Sequence, residues 1–146
     1  MRSQTTIGLL LAALLLIGAA PAADPAGSIT VEVSGVRAAT GMVRVSVCPR
    51  KLFLGECPWS GSAPAHGGVV TVVVRDVPPG RYAVQAFHDA DADGKLARNW
   101  MGIPREGIGF SNDAMAHLTY PRFSVAAFEH GAPAQHIPVT VRYFLD

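Results

Sequence analysis

Asp89, Asp91 and Asp93 alternate along one short stretch, and Gly94 and Lys95 follow directly. Alternating carboxylates closed by a glycine are how a calcium loop begins. Ca²⁺ is a hard cation that takes about six to eight oxygens, and the chain curls its carboxylates round the ion only where glycine permits a sharp turn. In this register the backbone carbonyl of Lys95 is the seventh-position ligand, Ala97 holds the ninth position and Trp100 the twelfth. An EF-hand has a bidentate Glu at the twelfth position, so the pattern is not a helix-flanked EF-hand. A site here would draw further oxygens from Glu106, Ser111, Asn112 or Asp113. Its affinity is expected to be weak, about 10⁻⁴–10⁻³ M, as in extracellular modules. The competing expectation is a solvated acidic turn in which Asp and Gly serve geometry alone. Mutual repulsion of three close carboxylates argues for the ion.

His88 directly precedes this loop. Paired with Asp89 or Glu106 it would form a general base, which is the constellation of a small hydrolase. The plainer expectation is a strand-end histidine bonded to the backbone. His66, His117, His130 and His136 share no metal-ligand spacing. Ser60, Ser62 and Ser111 stand in no Gly-x-Ser-x-Gly. The glycines flanking Ile108 lack a preceding strand and following helix of the dinucleotide-binding kind. Aromatic residues in irregular segments, namely Phe53, Trp59, Trp100, Phe110 and Tyr120, could form a ligand platform, with His88, Trp100 and Phe110 as the ligand-face candidates. Otherwise they cap the ends of the fold and fill its core.

These groups must be positioned by extended chain. Ile29, Val31 and Val33 alternate with polar residues, and so do Val43, Val45 and Val47, which predicts two half-buried strands. The stretch from Arg37 to Gly41 reads as a hairpin connection between them. Val69–Val74 is a β-branched run and a third strand. Val77-Pro78-Pro79-Gly80 is a tight turn, followed by alternating Tyr82, Val84 and Ala86. Ile137, Val139, Val141 and Tyr143 predict a last strand, and the opposite parity of Pro138 places its start at an edge. Segments 49–68 and 100–121 read as irregular, and Phe123–Phe128 fits either a short helix or a strand. Short strands punctuated by turns predict an all-β antiparallel sandwich with long irregular loops. Long ordered loops are often where function lies.

An apolar run from Ile7 to Ala20, preceded by Arg2 and followed by Ala20-Pro21-Ala22, reads as a cleaved secretory signal over residues 1–22. The expected location is the periplasm or the medium, with residues 23–146 as one domain and no membrane span after cleavage. Of 12 Lys+Arg and 11 Asp+Glu, removal of Arg2 leaves equal numbers. A near-neutral domain without a basic run has no electrostatic reason to bind nucleic acid. In an oxidising compartment the pair Cys48 and Cys57, 9 positions apart, reads as a disulfide. Cys48 has the parity of Arg44 and Ser46, so the bridge should reach a loop lying over the outer side of the sheet.

The series Val77-Pro78-Pro79-Gly80-Arg81-Tyr82-Ala83-Val84, Phe87-His88-Asp89 with its acidic Gly loop, Gly102-Ile103-Pro104-Arg105-Glu106-Gly107, Gly109-Phe110-Ser111-Asn112, and Phe123 with Ala127-Phe128 resembles the bacterial exported proteins of domain of unknown function 2141. The resemblance covers nearly the whole chain beyond the signal. It implies an immunoglobulin-like or transthyretin-like sandwich and no established activity. Ala97 departs from that family's habit of an acidic residue after the loop. The expectation for function is a non-enzymatic exported binding module, Ca²⁺-stabilised through Asp89, Asp91, Asp93 and Lys95, whose partner is an envelope protein or a saccharide.

Overall fold

The computed structural model describes residues 27–115 and 119–145; the expected signal lies outside them. Among the described residues eight strands form, β1 (Ile29–Val36), β2 (Met42–Pro49), β3 (Trp59–Pro64), β4 (Gly68–Val74), β5 (Gly80–Asp89), β6 (Ile108–Phe110), β7 (Phe128–His130) and β8 (Gln135–Thr140), with a 3-10 turn at Arg50–Leu52 and one short α-helix, α1 (Phe123–Ala126). The undecided segment at Phe123–Phe128 is therefore a helical turn that passes into β7. Among the described residues no helix is long and apolar enough to cross a membrane.

Two sheets result. One has the order β4-β1-β8, the other β3-β2-β5-β6, with β7 continuing beside β5 at its start. The alternating apolar positions face one another across the gap. Val31 and Val33 of β1, Val43, Val45 and Val47 of β2, Val70, Val72 and Val74 of β4 and Val84 of β5 are all essentially inaccessible to solvent. Removing such a side chain from water contributes roughly 1.5–3 kcal/mol, and β-branched residues suit the pleated surface that presents them.

Three expectations are corrected. The connection over Arg37–Gly41 is no hairpin, because β1 and β2 lie in different sheets. Alternation marks a dry face, and both facing sheets share one dry layer, so parity cannot tell a hairpin from a crossing between sheets. Gly41 makes the crossing possible: it has φ +76°, and a Cβ there would stand 2.0 Å from the carbonyl oxygen of Asp89. Second, the sandwich is not wholly antiparallel, since β8 runs parallel to β1, Val31 opposite Ile137 and Val33 opposite Val139. Third, both segments read as irregular contain a strand, β3 within 49–68 and β6 within 100–121. Trp59, Gly61 and Ala63 turn partly inward, while Ser60, Ser62 and Pro64 are exposed. An edge strand with small residues on its dry side carries little hydrophobic contrast, so periodicity misses it.

β8 is an edge strand, as the position of Pro138 suggested. Beyond it, bridges between Ser111 and Val139 and between Ile108 and Arg142 tie that edge to the β6 side of the other sheet. Gly109 allows this approach, because a Cβ there would meet the Thr140 carbonyl oxygen at 2.3 Å.

Candidate functional site

Asp89 ends β5 with the parity of Ala83, Gln85 and Phe87, so its side chain leaves the outer face of the five-stranded sheet. It is nonetheless wholly buried. Its Oδ2 accepts hydrogen bonds from Arg44 Nε at 2.5 Å and from the Gly94 N–H at 2.9 Å. Its Oδ1 accepts the Asp93 N–H at 3.1 Å. Burial alone pushes the Asp89 carboxyl up; the hydrogen bonds from Arg44 and Gly94 and the Arg44 charge outweigh it and hold the group below the ordinary carboxylate range.

Glu106 performs the complementary task. Its Oε1 accepts the Ala90 N–H and its Oε2 the Ala97 N–H, both at 3.0 Å. One buried carboxylate thus fixes the inside of the loop and the other clasps its two ends. The tip adds local turns: Asp91 Oδ1 accepts the Asp93 N–H at 3.3 Å, and Asp93 Oδ1 accepts the Lys95 N–H at 2.7 Å. Ala97 contributes its backbone N–H to this clasp, so the loop closes without a carboxylate at position 97.

Of the expected ligand set, Asp89, Asp91 and Glu106 come together, with one oxygen from each lying within 4.8 Å of the others. Asp93 is not part of that group. Asn112 and Asp113 are engaged elsewhere: Asn112 Nδ2 donates to the carbonyls of Val125 and Ala127, and Asp113 forms a bidentate pair with Arg142 at 2.7 and 2.9 Å. Ser111 is buried, with Oγ accepting the Val84 N–H at 2.9 Å and donating to the Ala126 carbonyl at 2.6 Å. These three residues fasten the segment after β6 to its neighbours. Hard carboxylate oxygens suit Ca²⁺, but Arg44 already supplies a cation to the most buried of them.

His88 points the other way, into the dry layer between the sheets. Its Nδ1 meets the Tyr143 hydroxyl at 2.8 Å and its Nε2 the Thr40 carbonyl at 2.8 Å. Alternation along β5 separates it from Asp89, and both of its ring nitrogens are engaged between the sheets. The hydrolase geometry, His88 with Asp89 or Glu106 across a cleft, does not form.

The aromatic candidates divide as well. Phe110 is buried, and Phe53 meets both Phe110 and Phe123 edge to face with centroids 5.7 Å apart. Trp59 packs edge to face on Tyr82 at 5.3 Å, against the inter-sheet core. Trp100 is 91% exposed. His88, Trp100 and Phe110 therefore do not share a face. Tyr120 stacks beneath the Arg98 guanidinium at 5.3 Å.

Cys48 and Cys57 are bonded. Cys48 is fully buried although it points to the outer side of its sheet, because the loop it anchors lies over it. Gln85, on the same face, holds that loop in place: its Oε1 accepts the Leu54 N–H at 3.1 Å and its Nε2 donates to the Gly55 carbonyl at 2.8 Å. Arg44, Gln85 and Tyr143 escaped the sequence reading. Each acts on a partner more than 29 residues away, and no local spacing announces such a pair.

The model of a family described as an uncharacterized protein conserved in bacteria (DUF2141) matches residues 31–138. No curated protein and no solved structure matches the chain.

Proposed function

The chain belongs to the DUF2141 family, and from that premise we propose that it is an exported, non-enzymatic binding module of immunoglobulin-like or transthyretin-like type. It works in the periplasm or outside the cell. The apolar run from Ile7 and the small residues at Ala20 and Ala22 support export, and a bonded cysteine pair suits an oxidising compartment. One observation carries the binding role. His88, Asp89 and Glu106, the groups best suited to chemistry, are each engaged in holding backbone or fold. The turn that follows the clasped loop, closed by Asn99 Oδ1 on the Met101 and Ile103 N–H groups, presents Trp100 at 91% and Met101 at 57% exposure to solvent. A large exposed indole on a turn held from beneath is a contact residue for a partner. The partner is an envelope protein or an envelope saccharide.

Ca²⁺ has a structural place in this reading. An ion shared by Asp89, Asp91 and Glu106 would draw the exposed Asp91 onto the two clasping carboxylates and stiffen the turn. Titration of CaCl₂ to several millimolar, followed by calorimetry and by the melting temperature, tests it; no heat and no rise would remove the ion. The binding role is tested by cosedimentation of the signal-free protein with isolated bacterial envelopes. Retention is expected to fall with Trp100→Ala. Prior protease treatment of the envelopes abolishes it if the partner is protein, and muramidase treatment if it is saccharide. Absence of cosedimentation for the parent protein would remove the reading.

A further inference from the structure

The loop closed by the disulfide and the acidic loop stand as two walls over the outer face of the five-stranded sheet. Leu54, Gly55 and Glu56 line one wall and Gly94, Leu96 and Arg98 the other. Ser46, Gln85, Phe87, Ile108 and Phe110 form the floor, and Tyr120 closes one side. The cavity between them measures about 320 Å³, near the lower end for small-molecule sites, which span roughly 300–1,000 Å³. Both walls are held independently of any occupant. The disulfide and Gln85 fix the first, while Asp89 and Glu106 fix the second. A preformed cavity avoids the ordering cost that a flexible one would incur on binding.

Its chemistry is uneven. The floor is chiefly apolar. The strongest polar group on the walls is Arg98, whose Nη1 donates to the Gly102 carbonyl and the Tyr120 hydroxyl while its Cζ lies 5.3 Å from the Tyr120 ring centroid. These contacts orient the guanidinium and leave Nη2 and Nε without a hydrogen-bond partner among the described residues. Glu56 faces it from the opposite wall, with no ion pair among the described residues, and opposes a second negative charge on an occupant.

We propose that this groove binds a small apolar monoanion, its apolar body on Phe87, Leu96 and Phe110 and its anionic end against Arg98. The inference rests on the reading of the protein as a binding module, but it uses a different surface from Trp100. The probe is the fluorescent apolar sulfonate 8-anilinonaphthalene-1-sulfonate, titrated into the purified, disulfide-bonded protein. Saturable binding at one site is expected, with displacement by decanoate at least about tenfold more effective than by decanol, because a charge-assisted hydrogen bond distinguishes the two. Arg98→Ala should weaken binding about tenfold or more. Ser46→Phe fills the floor and should abolish it, whereas Val69→Ala, at an exposed position of β4 in the other sheet, should leave it unchanged. Glu56→Gln should leave binding equal or make it tighter. Arg98 is exposed, so its variant is expected to melt like the parent even if Ser46→Phe does not fold. Unsaturable fluorescence, binding indifferent to Arg98→Ala, or loss of binding with Glu56→Gln would overturn the proposal. Cosedimentation with envelopes that depends on Trp100 is read separately, so either result can fail while the other stands.

Discussion

Two apolar clusters lie on opposite faces of the five-stranded sheet, and they are built by different means. The inner one is made mostly of valines contributed by strands of both sheets, each layer closing the other. The outer one gathers Ala83, Ile108, Phe110, Met115, Phe123 and Ala126, with Phe53, Phe87 and Leu96 packed against it. Among the described residues no second sheet covers it. Its roof is the loop closed by the disulfide, the segment after β6 and the helical turn α1. Three phenyl rings meeting edge to face do there what many methyl groups do inside. Both clusters need a lid, and the kind of lid decides what the face can become. A sheet makes a uniform dry layer with no room for chemistry. Loops leave gaps, and they must be held by polar contacts, so the outer face has the buried carboxylates, the disulfide and the groove.

The difference can be tested by perturbing one face at a time. The largest effect is expected from Val45→Asp, which puts an unpaired carboxylate into the inner layer; burying a charge without a partner costs several kcal/mol, so the cooperative melt followed by circular dichroism should be lost. Replacing both cysteines by serine should cost about 2–3 kcal/mol, the loop-closure value for a bridge spanning 9 positions. In hydrogen exchange this loss should appear first at the amides near Leu54 and Gly55, while the amides of β1 and β4 stay protected. Equal loss of protection in both sheets would show that the two clusters are one cooperative unit.

The smallest effect is the pH dependence set by Asp89. Its carboxyl is held below the ordinary range in the folded protein, so the unfolded chain binds the proton more readily. The stabilisation is then complete above the ordinary carboxylate pKa and is lost as the pH falls through that value towards the folded one. A parent protein that melts progressively lower on acidification through that window, beside an Asp89→Asn variant with a shallower acid slope, is the expected pair of curves. Identical slopes would mean that other carboxylates dominate.

Much of the inner cluster was legible from local pattern. Val31, Val45, Val72 and Val84 announce themselves by alternating with polar neighbours or by β-branched runs, and a period of two is a property of the extended backbone itself. The parity of Cys48 also predicted correctly which side of its sheet the bridge would occupy. β3 was hidden because Gly61 and Ala63 are too small to mark a dry side. The long series that carries the family resemblance told less about chemistry than its density suggested. In the structure, Gly109 allows a close approach, while Ser111 and Asn112 fasten a loop. His88 joins Tyr143 to the Thr40 carbonyl.

The sequence by itself determined that the valine-rich stretches of β1, β2, β4, β5 and β8 extend and which face of each is dry, and it placed Asp89, Asp91 and Asp93 in one turn. Only the tertiary structure decided that β1 and β2 belong to different sheets and that β8 joins β1 in parallel. It alone brought Arg44 to Asp89 and laid the loop closed by the disulfide beside the acidic loop to enclose a groove. The physical reason is range. Alternation and turn chemistry act between neighbours along the chain, whereas a buried charge pair or a cavity wall depends on strand register, which is settled only when the whole dry layer packs.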